Sequence, residues 1–206
     1  MEAKAQRIGI YGGTFNPVHA GHLRVAREAL RVLKLDKVLL VPNARSPLRL
    51  EEEMLPGPER LALVRLAVAD DPSLEACDVE VARGGPSFTV ETLRTLRERY
   101  PDAALFFLMG ADSLLTLERW VAVEEMLTLA QAVVLPRPGF SRREALRDLE
   151  QRAPGLAENI LCLETDLRMD ISATAIREAL AKGEPVAQWL PEPVAAALRA
   201  KRPADG

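Results

Sequence analysis

Histidine is nearly missing from this chain. Its 206 residues hold two, His19 and His22, three positions apart. So few imidazoles exclude a histidine-rich metal cluster, and any histidine-based triad would have to draw on this one pair. Cysteine is equally scarce. Cys77 and Cys162 stand far apart without a Cys-x-x-Cys context, which excludes a disulfide scaffold or a cysteine zinc site and suits a reducing cytoplasm. Aromatic residues make up only 4%, too few for a platform of base-stacking rings. There is no positive excess either: 27 basic against 30 acidic residues leave a net charge of −3, so nothing recommends nucleic acid as a partner. No stretch approaches the ~20 apolar residues of a membrane span. The polar start Met1–Arg7 lacks the apolar region of a secretory signal. Small molecules are the expected partners, with neither nucleic acid nor membrane.

What is present is an ordinary globular balance, 48% apolar and 28% charged, enough for a sizeable core. Arg7–Tyr11 reads as a buried strand entering the tight Gly12-Gly13 loop. Leu23, Ala26, Leu30 and Leu33 recur at helical spacing, and Val38–Val41 forms a second strand stopped by Pro42. That is a βαβ unit. Asn43–Gly57 reads as a mobile loop, and Pro58–Asp70 as a helix whose apolar face carries Leu61, Val64, Leu66 and Val68. The alternation in Asp78–Ala82 predicts a strand, and Ser87 or Thr89 is the expected cap of a helix reaching Tyr100. Further strands are expected at Ala104–Met109, Ala132–Leu135 and Ile160–Leu163, with a solvated helix at Ser141–Arg152. A helix from Ala173 or Thr174 to Lys182 and another at Glu192–Ala200 close the chain. This alternation predicts an α/β fold, a Rossmann-like doubly wound parallel sheet with a small C-terminal helical region. A single domain over 1–206 is expected, with its core at about 7–170 and the C-terminal helices at 171–200.

The segment from Gly12 to His22, Gly-Gly-Thr-Phe-Asn-Pro-Val-His-Ala-Gly-His, lies where the first strand passes into the first helix. Glycines let backbone approach an anion, and a helix N-terminus offers unpaired N–H groups and partial positive charge. Neither Gly-x-x-x-x-Gly-Lys-Ser/Thr nor Gly-x-Gly-x-x-Gly is present; His-x-Gly-His replaces them. With His22 in the first turn and His19 just before it, both rings can face one anion. Gly21 between them leaves room for a nucleotide against the backbone. A metal site would need a third ligand that the sequence does not supply, so no metal ligand is assigned. Ser172 and Thr174 are natural N-cap residues, and Arg177 one turn on adds a fork suited to phosphate oxygens.

These segments resemble the two signatures of the His-x-Gly-His nucleotidyltransferases, the second being Ile171-Ser-Ala-Thr-Ala-Ile-Arg177. Ser87-Phe-Thr-Val-Glu-Thr-Leu93, Gly110-Ala-Asp-Ser-Leu114 with Trp120, and Arg137-Pro-Gly139 are similar to elements of the nicotinate-nucleotide adenylyltransferase branch. The likeness runs from about Ile8 to Val194.

The resemblance implies adenylyl transfer from ATP to nicotinate mononucleotide, with Mg²⁺ carried by the ATP. It implies catalytic roles for His19, His22 and Arg177. ATP contacts fall to Gly12, Gly13, Thr14, Phe15, Gly21, Asp112, Arg137, Ile171, Ser172 and Thr174. Asp112 would orient the adenosine ribose or a Mg²⁺-bound water, or else simply cap a helix. Substrate contacts fall to Thr89, Trp120, Asn43 and Arg49, with Trp120 stacked on the pyridine ring rather than buried as core. Asn16 stands where the family usually has Asp, Phe88 where it has Tyr, Val121 where Tyr is frequent, and Leu48 where His is common. The alternatives are a nicotinamide mononucleotide or phosphopantetheine adenylyltransferase, and a non-catalytic adenylate sensor.

Overall fold

The computed structural model describes residues 5–45, 54–135, 141–163, 165 and 171–200. Ala104–Gly110, the strand β4 of this fold, shows how the sheet is built. Leu105, Phe107 and Met109 enter one apolar core, while Phe106 and Leu108 enter the other. A strand buried on both faces reads as a continuous apolar run, which is why Leu-Phe-Phe-Leu-Met carries no polar residue.

Around β4 the chain places β1 (Arg7–Gly13), β2 (Lys37–Pro42), β3 (Leu74–Ala76), β5 (Gln131–Leu135) and β6 (Ile160–Cys162). All pairings are parallel and the spatial order is β3-β2-β1-β4-β5-β6. Helices α1 (Ala20–Leu33), α2 (Gly57–Val68), α7 (Ala173–Ala181) and α8 (Glu192–Ala200) bury Leu23, Val64, Ile176 and Val194 in the core on one face. On the other face α3 (Val79–Arg83), α4 (Thr89–Arg99), α5 (Val123–Leu129) and α6 (Arg142–Arg152) contribute Val79, Leu93, Met126 and Leu149. Such a doubly wound sheet reverses its winding between β1 and β4, and ligands bind beyond the strand C-termini at that point. Gly12-Gly13 and Gly110 end those two strands. No helix among the described residues is long and apolar enough to cross a membrane.

Three local expectations are corrected. Asp78–Ala82 is not a strand. Leu74–Ala76 already fills the positions opposite Val38–Leu40, and the Cys77 N–H closes the ladder on Leu40. The chain then leaves the sheet edge and coils into α3, where Val79 and Glu80 are both buried. Five residues of alternation cannot separate these outcomes. Leu66 is 40% exposed, because the buried stripe of α2 runs through Arg60, Leu61, Leu63, Val64 and Val68. Neither Ser87 nor Thr89 caps α4: Phe88 takes the N-cap position without a side-chain bond, and Ser87 Oγ accepts from the Ala44 N–H at 2.9 Å. The loop expected at Asn43–Gly57 falls partly outside the described residues. Neither cysteine forms a disulfide among the described residues; Cys77 is buried and Cys162 half-buried.

Candidate active site

The His-x-Gly-His loop closes on itself. His19 is the N-cap of α1 and His22 is its third residue. Each ring nitrogen Nδ1 accepts from the other's main-chain N–H, at 3.4 Å for the His19 ring and 3.2 Å for the His22 ring. This is a capping box built from two imidazoles in place of the usual hydroxyl and carboxylate. The rings stack at 3.6 Å between centroids. Because both Nδ1 atoms accept, the hydrogen-bond pattern assigns the proton of each neutral ring to Nε2. Burial pushes the His19 pKa down to about 4. His22 is driven well below its ordinary value by burial and then by the neighbouring His19. Two neutral Nε2–H donors are therefore presented at neutral pH.

The space at Gly21 is taken up by this arrangement. A Cβ there would lie 3.0 Å from His19 Nδ1 and 3.5 Å from the Ile171 Cβ. The glycine thus admits the His19 ring and brings the second signature against the first. The Ala20 N–H donates to the Trp189 carbonyl at 2.8 Å and the His22 N–H is held by His19. Gly21 is left as the first-turn donor of α1 without a partner among the described residues, suited to an anion.

Phe15 is buried, with φ +49°, and its ring packs edge-on against Tyr11 and His22 at 5.5 and 4.9 Å. A Cβ on Gly13 would meet that ring at 3.0 Å. Phe15 is thus a wall between the glycine loop and His22, leaving only its backbone for a ligand. Asn16 accepts the Leu55 N–H on Oδ1 and an Arg177 N–H on its main-chain carbonyl. Arg177 also donates to Thr174 Oγ1 at 3.4 Å. Ser172 occupies the N-cap position of α7 but makes no side-chain cap bond.

Beside this cluster a cavity of about 320 Å³ opens at the ends of β1 and β2 and against Phe107 of β4, lined by Gly12, Gly13, Thr14, Asn43, Thr89 and Trp120. Six expected site residues, 77 positions apart or more in places, therefore share one wall. Phe88 and Val121, two of the departures from the family pattern, line it too. Trp120 packs edge-on to Phe107, and its indole nitrogen is buried without a hydrogen-bond partner among the described residues. Asp112 is exposed in the 3₁₀ turn after β4, where a Cβ on Gly110 would stand 2.5 Å from its Oδ1. Burial and then the Asp112 charge push the Tyr11 phenol upward. Arg49 and Arg137 lie outside the described residues. Among the described residues, no three His, Cys, Asp or Glu side chains gather as a metal site.

Two residues escaped sequence reasoning. Glu80 lines the cavity and accepts from Thr92 Oγ1 at 2.7 Å. Burial raises its pKa, opposed by hydrogen bonds from Ser87 and Thr92. Arg60 is fully buried behind the same wall. Its position on the α2 stripe, three and four residues before Leu63 and Val64, was the available signal.

A parallel sheet ordered 3-2-1-4-5-6, with a histidine-capped helix and a cavity at its switch point, defines a nucleotide-handling α/β enzyme, and residues 10–179 match the cytidylyltransferase-like family. The chain is 41% identical over 193 residues to a probable nicotinate-nucleotide adenylyltransferase of Roseiflexus sp. (strain RS-1), spanning 94% of this chain and 95% of that one. It is 37% identical to a protein of the same description from Clostridium tetani, over 91% and 93% of the two chains. The chain belongs to the nicotinate-nucleotide adenylyltransferase family. Its fold is shared with the Plasmodium falciparum nicotinic acid mononucleotide adenylyltransferase, with a TM-score of 0.73 at 16% identity, covering 95% and 96%.

Proposed function

We propose that this chain, acting as one nucleotidyltransferase domain, joins nicotinate mononucleotide to the AMP moiety of ATP, giving nicotinate adenine dinucleotide and pyrophosphate. The observation that carries this reading is the shared cavity: Trp120, Thr89 and Asn43 face the Gly12-Gly13-Thr14 loop beside the histidine-capped helix. An oxygen of the mononucleotide phosphate attacks the α-phosphorus of ATP in line. The bond from that phosphorus to the α,β-bridging oxygen breaks, and its electrons leave with pyrophosphate. The attacker is already anionic, so neither a strong base nor a covalent enzyme intermediate is required. What the protein supplies is positioning and charge stabilisation.

Neutral His19 and His22 donate from Nε2 to the α- and β-phosphate oxygens, together with the Gly21 N–H. Ser172, Thr174 and Arg177 hold the β- and γ-phosphates at the start of α7. Mg²⁺ enters with ATP as part of the substrate and offsets its charge; Asp112 is exposed where it can take the ribose or a Mg²⁺-bound water. Gly12, Gly13 and Thr14 offer close main-chain approach. Trp120 covers the pyridine ring, and Thr89, first residue of α4, faces its carboxylate with main-chain N–H groups. Arg49 and Arg137 are assigned to phosphate by their motifs alone. The test is pyrophosphate release from Mg·ATP on addition of nicotinate mononucleotide. Release only with nicotinamide mononucleotide or phosphopantetheine would assign a sister enzyme, and no release with any acceptor would favour an adenylate sensor.

A further inference from the structure

The guanidinium of Arg60 is 1% exposed and makes a full set of bonds to uncharged acceptors. Nε donates to the Leu55 carbonyl at 2.8 Å. Nη1 donates to the Thr14 carbonyl at 2.6 Å and to Asn43 Oδ1 at 3.0 Å. Nη2 donates to the carbonyls of Asn43 and Ala44, at 2.7 and 3.2 Å. An arginine has five N–H groups, so none remains for a substrate phosphate. Burying such a charge is unfavourable unless something compensates it. Here the five hydrogen bonds supply that compensation, and the Glu80 charge also opposes the downward push of burial on Arg60.

The partners of Arg60 are not scattered. Thr14 leaves β1, Asn43 and Ala44 leave β2, and Leu55 precedes α2. Thr14 and Asn43 line the cavity, and the Ala44 N–H donates to Ser87 Oγ, beside Phe88 and Thr89 on the same wall. The histidine pair, by contrast, is held by its own capping box and touches none of these bonds.

We propose that Arg60 is a positioning residue that sets the shape of the acceptor pocket by fastening the exits of β1 and β2 to each other and to the start of α2. The identity of the acceptor rests on the function proposed above; the placement of Arg60 does not. The consequence is one of substrate binding: loss of the fork loosens the wall at Thr14, an expected ATP contact, and at Asn43, an expected acceptor contact, and leaves the histidine capping box intact.

The experiment compares the wild type with Arg60→Lys and Arg60→Met by kcat and separate KM values for ATP and nicotinate mononucleotide. Hydrogen exchange over residues 12–16 and 41–45 is the readout that needs no substrate. Charge-assisted bonds of this kind translate into at least about a tenfold rise in acceptor KM for Arg60→Met, a rise in ATP KM through Thr14, and a kcat within about twofold. Lysine keeps the charge and fewer donors, so Arg60→Lys falls between wild type and Arg60→Met. Faster exchange in both segments, with no change over residues 105–109, accompanies it. A fall in kcat with both KM values unchanged, or unchanged exchange, overturns the proposal. If Arg60→Met does not fold, Arg60→Lys decides; if neither folds, Arg60 is a determinant of the fold and the proposal is wrong. A wild type that ignores nicotinate mononucleotide sinks the acceptor assignment instead, and exchange in Arg60→Lys still judges Arg60.

Discussion

Arg177 donates from Nη1 to the main-chain carbonyl of Asn16 at 3.0 Å, binding the two signature segments to each other across 161 positions. The contact gives Arg177 a structural task besides any phosphate it meets. Arg177→Ala is expected to lose about 1–3 kcal/mol of stability, since a charged donor is removed from a buried carbonyl. Its kcat should fall by at least about tenfold. Thermal melts and steady-state kinetics check the two parts separately, and a variant as active as wild type contradicts the role at the triphosphate.

His22→Ala removes one neutral donor and one arm of the capping box. Turnover is expected to fall at least about 100-fold. The fold survives, because a lost cap costs only about 1 kcal/mol. Circular dichroism and kcat measured on the same preparation separate these outcomes.

The pH dependence follows from the same pair. With the folded-state pKa of His19 lowered from 6.5 to about 4, the unfolded chain binds more protons between those values. Stability is therefore full above pH 6.5 and is lost as pH falls toward 4, by an amount on the order of 3 kcal/mol for a shift of this size. His22 acts in the same direction. Urea unfolding at several pH values checks this, and His19→Asn should flatten the slope. The kcat profile should show no imidazole titration near pH 6.5; one that did could only belong to His19 or His22.

Trp120→Ala should raise the KM for nicotinate mononucleotide. Aromatic stacking on a base is worth about 1–3 kcal/mol, or about 5–150-fold in affinity, while KM for ATP should hardly move. Equal effects on both substrates would place Trp120 in the core with Phe107, where its edge-on contact already lies.

The sheet was legible because strands buried on both faces announce themselves as apolar runs. Ile8–Tyr11, Val38–Val41 and Ala104–Met109 all lie where the residues indicate. The turn from β1 into α1 was legible because glycines and an unusual histidine pair mark a strand end. Short alternation misled at Asp78–Ala82, where occupancy of the sheet edge by Leu74–Ala76 decided the conformation, a fact about tertiary packing. Arg60 and Glu80 stayed hidden for a related reason: a charged residue reads as solvated until its partners, here Thr14, Asn43 and Thr92, are brought to it. The closing of Gly21 on the His19 ring could not be foreseen from spacing either.

The ratio of kcat/KM for nicotinate mononucleotide to that for nicotinamide mononucleotide, with Mg·ATP saturating, tests the central claim most directly. Phe88 and Val121 line the pocket without the hydroxyls that tyrosines would bring, and in the proposed reading main-chain donors at Thr89 carry the choice. A clear preference for the acid is expected. A preference for the amide, or equal use of both, would contradict it.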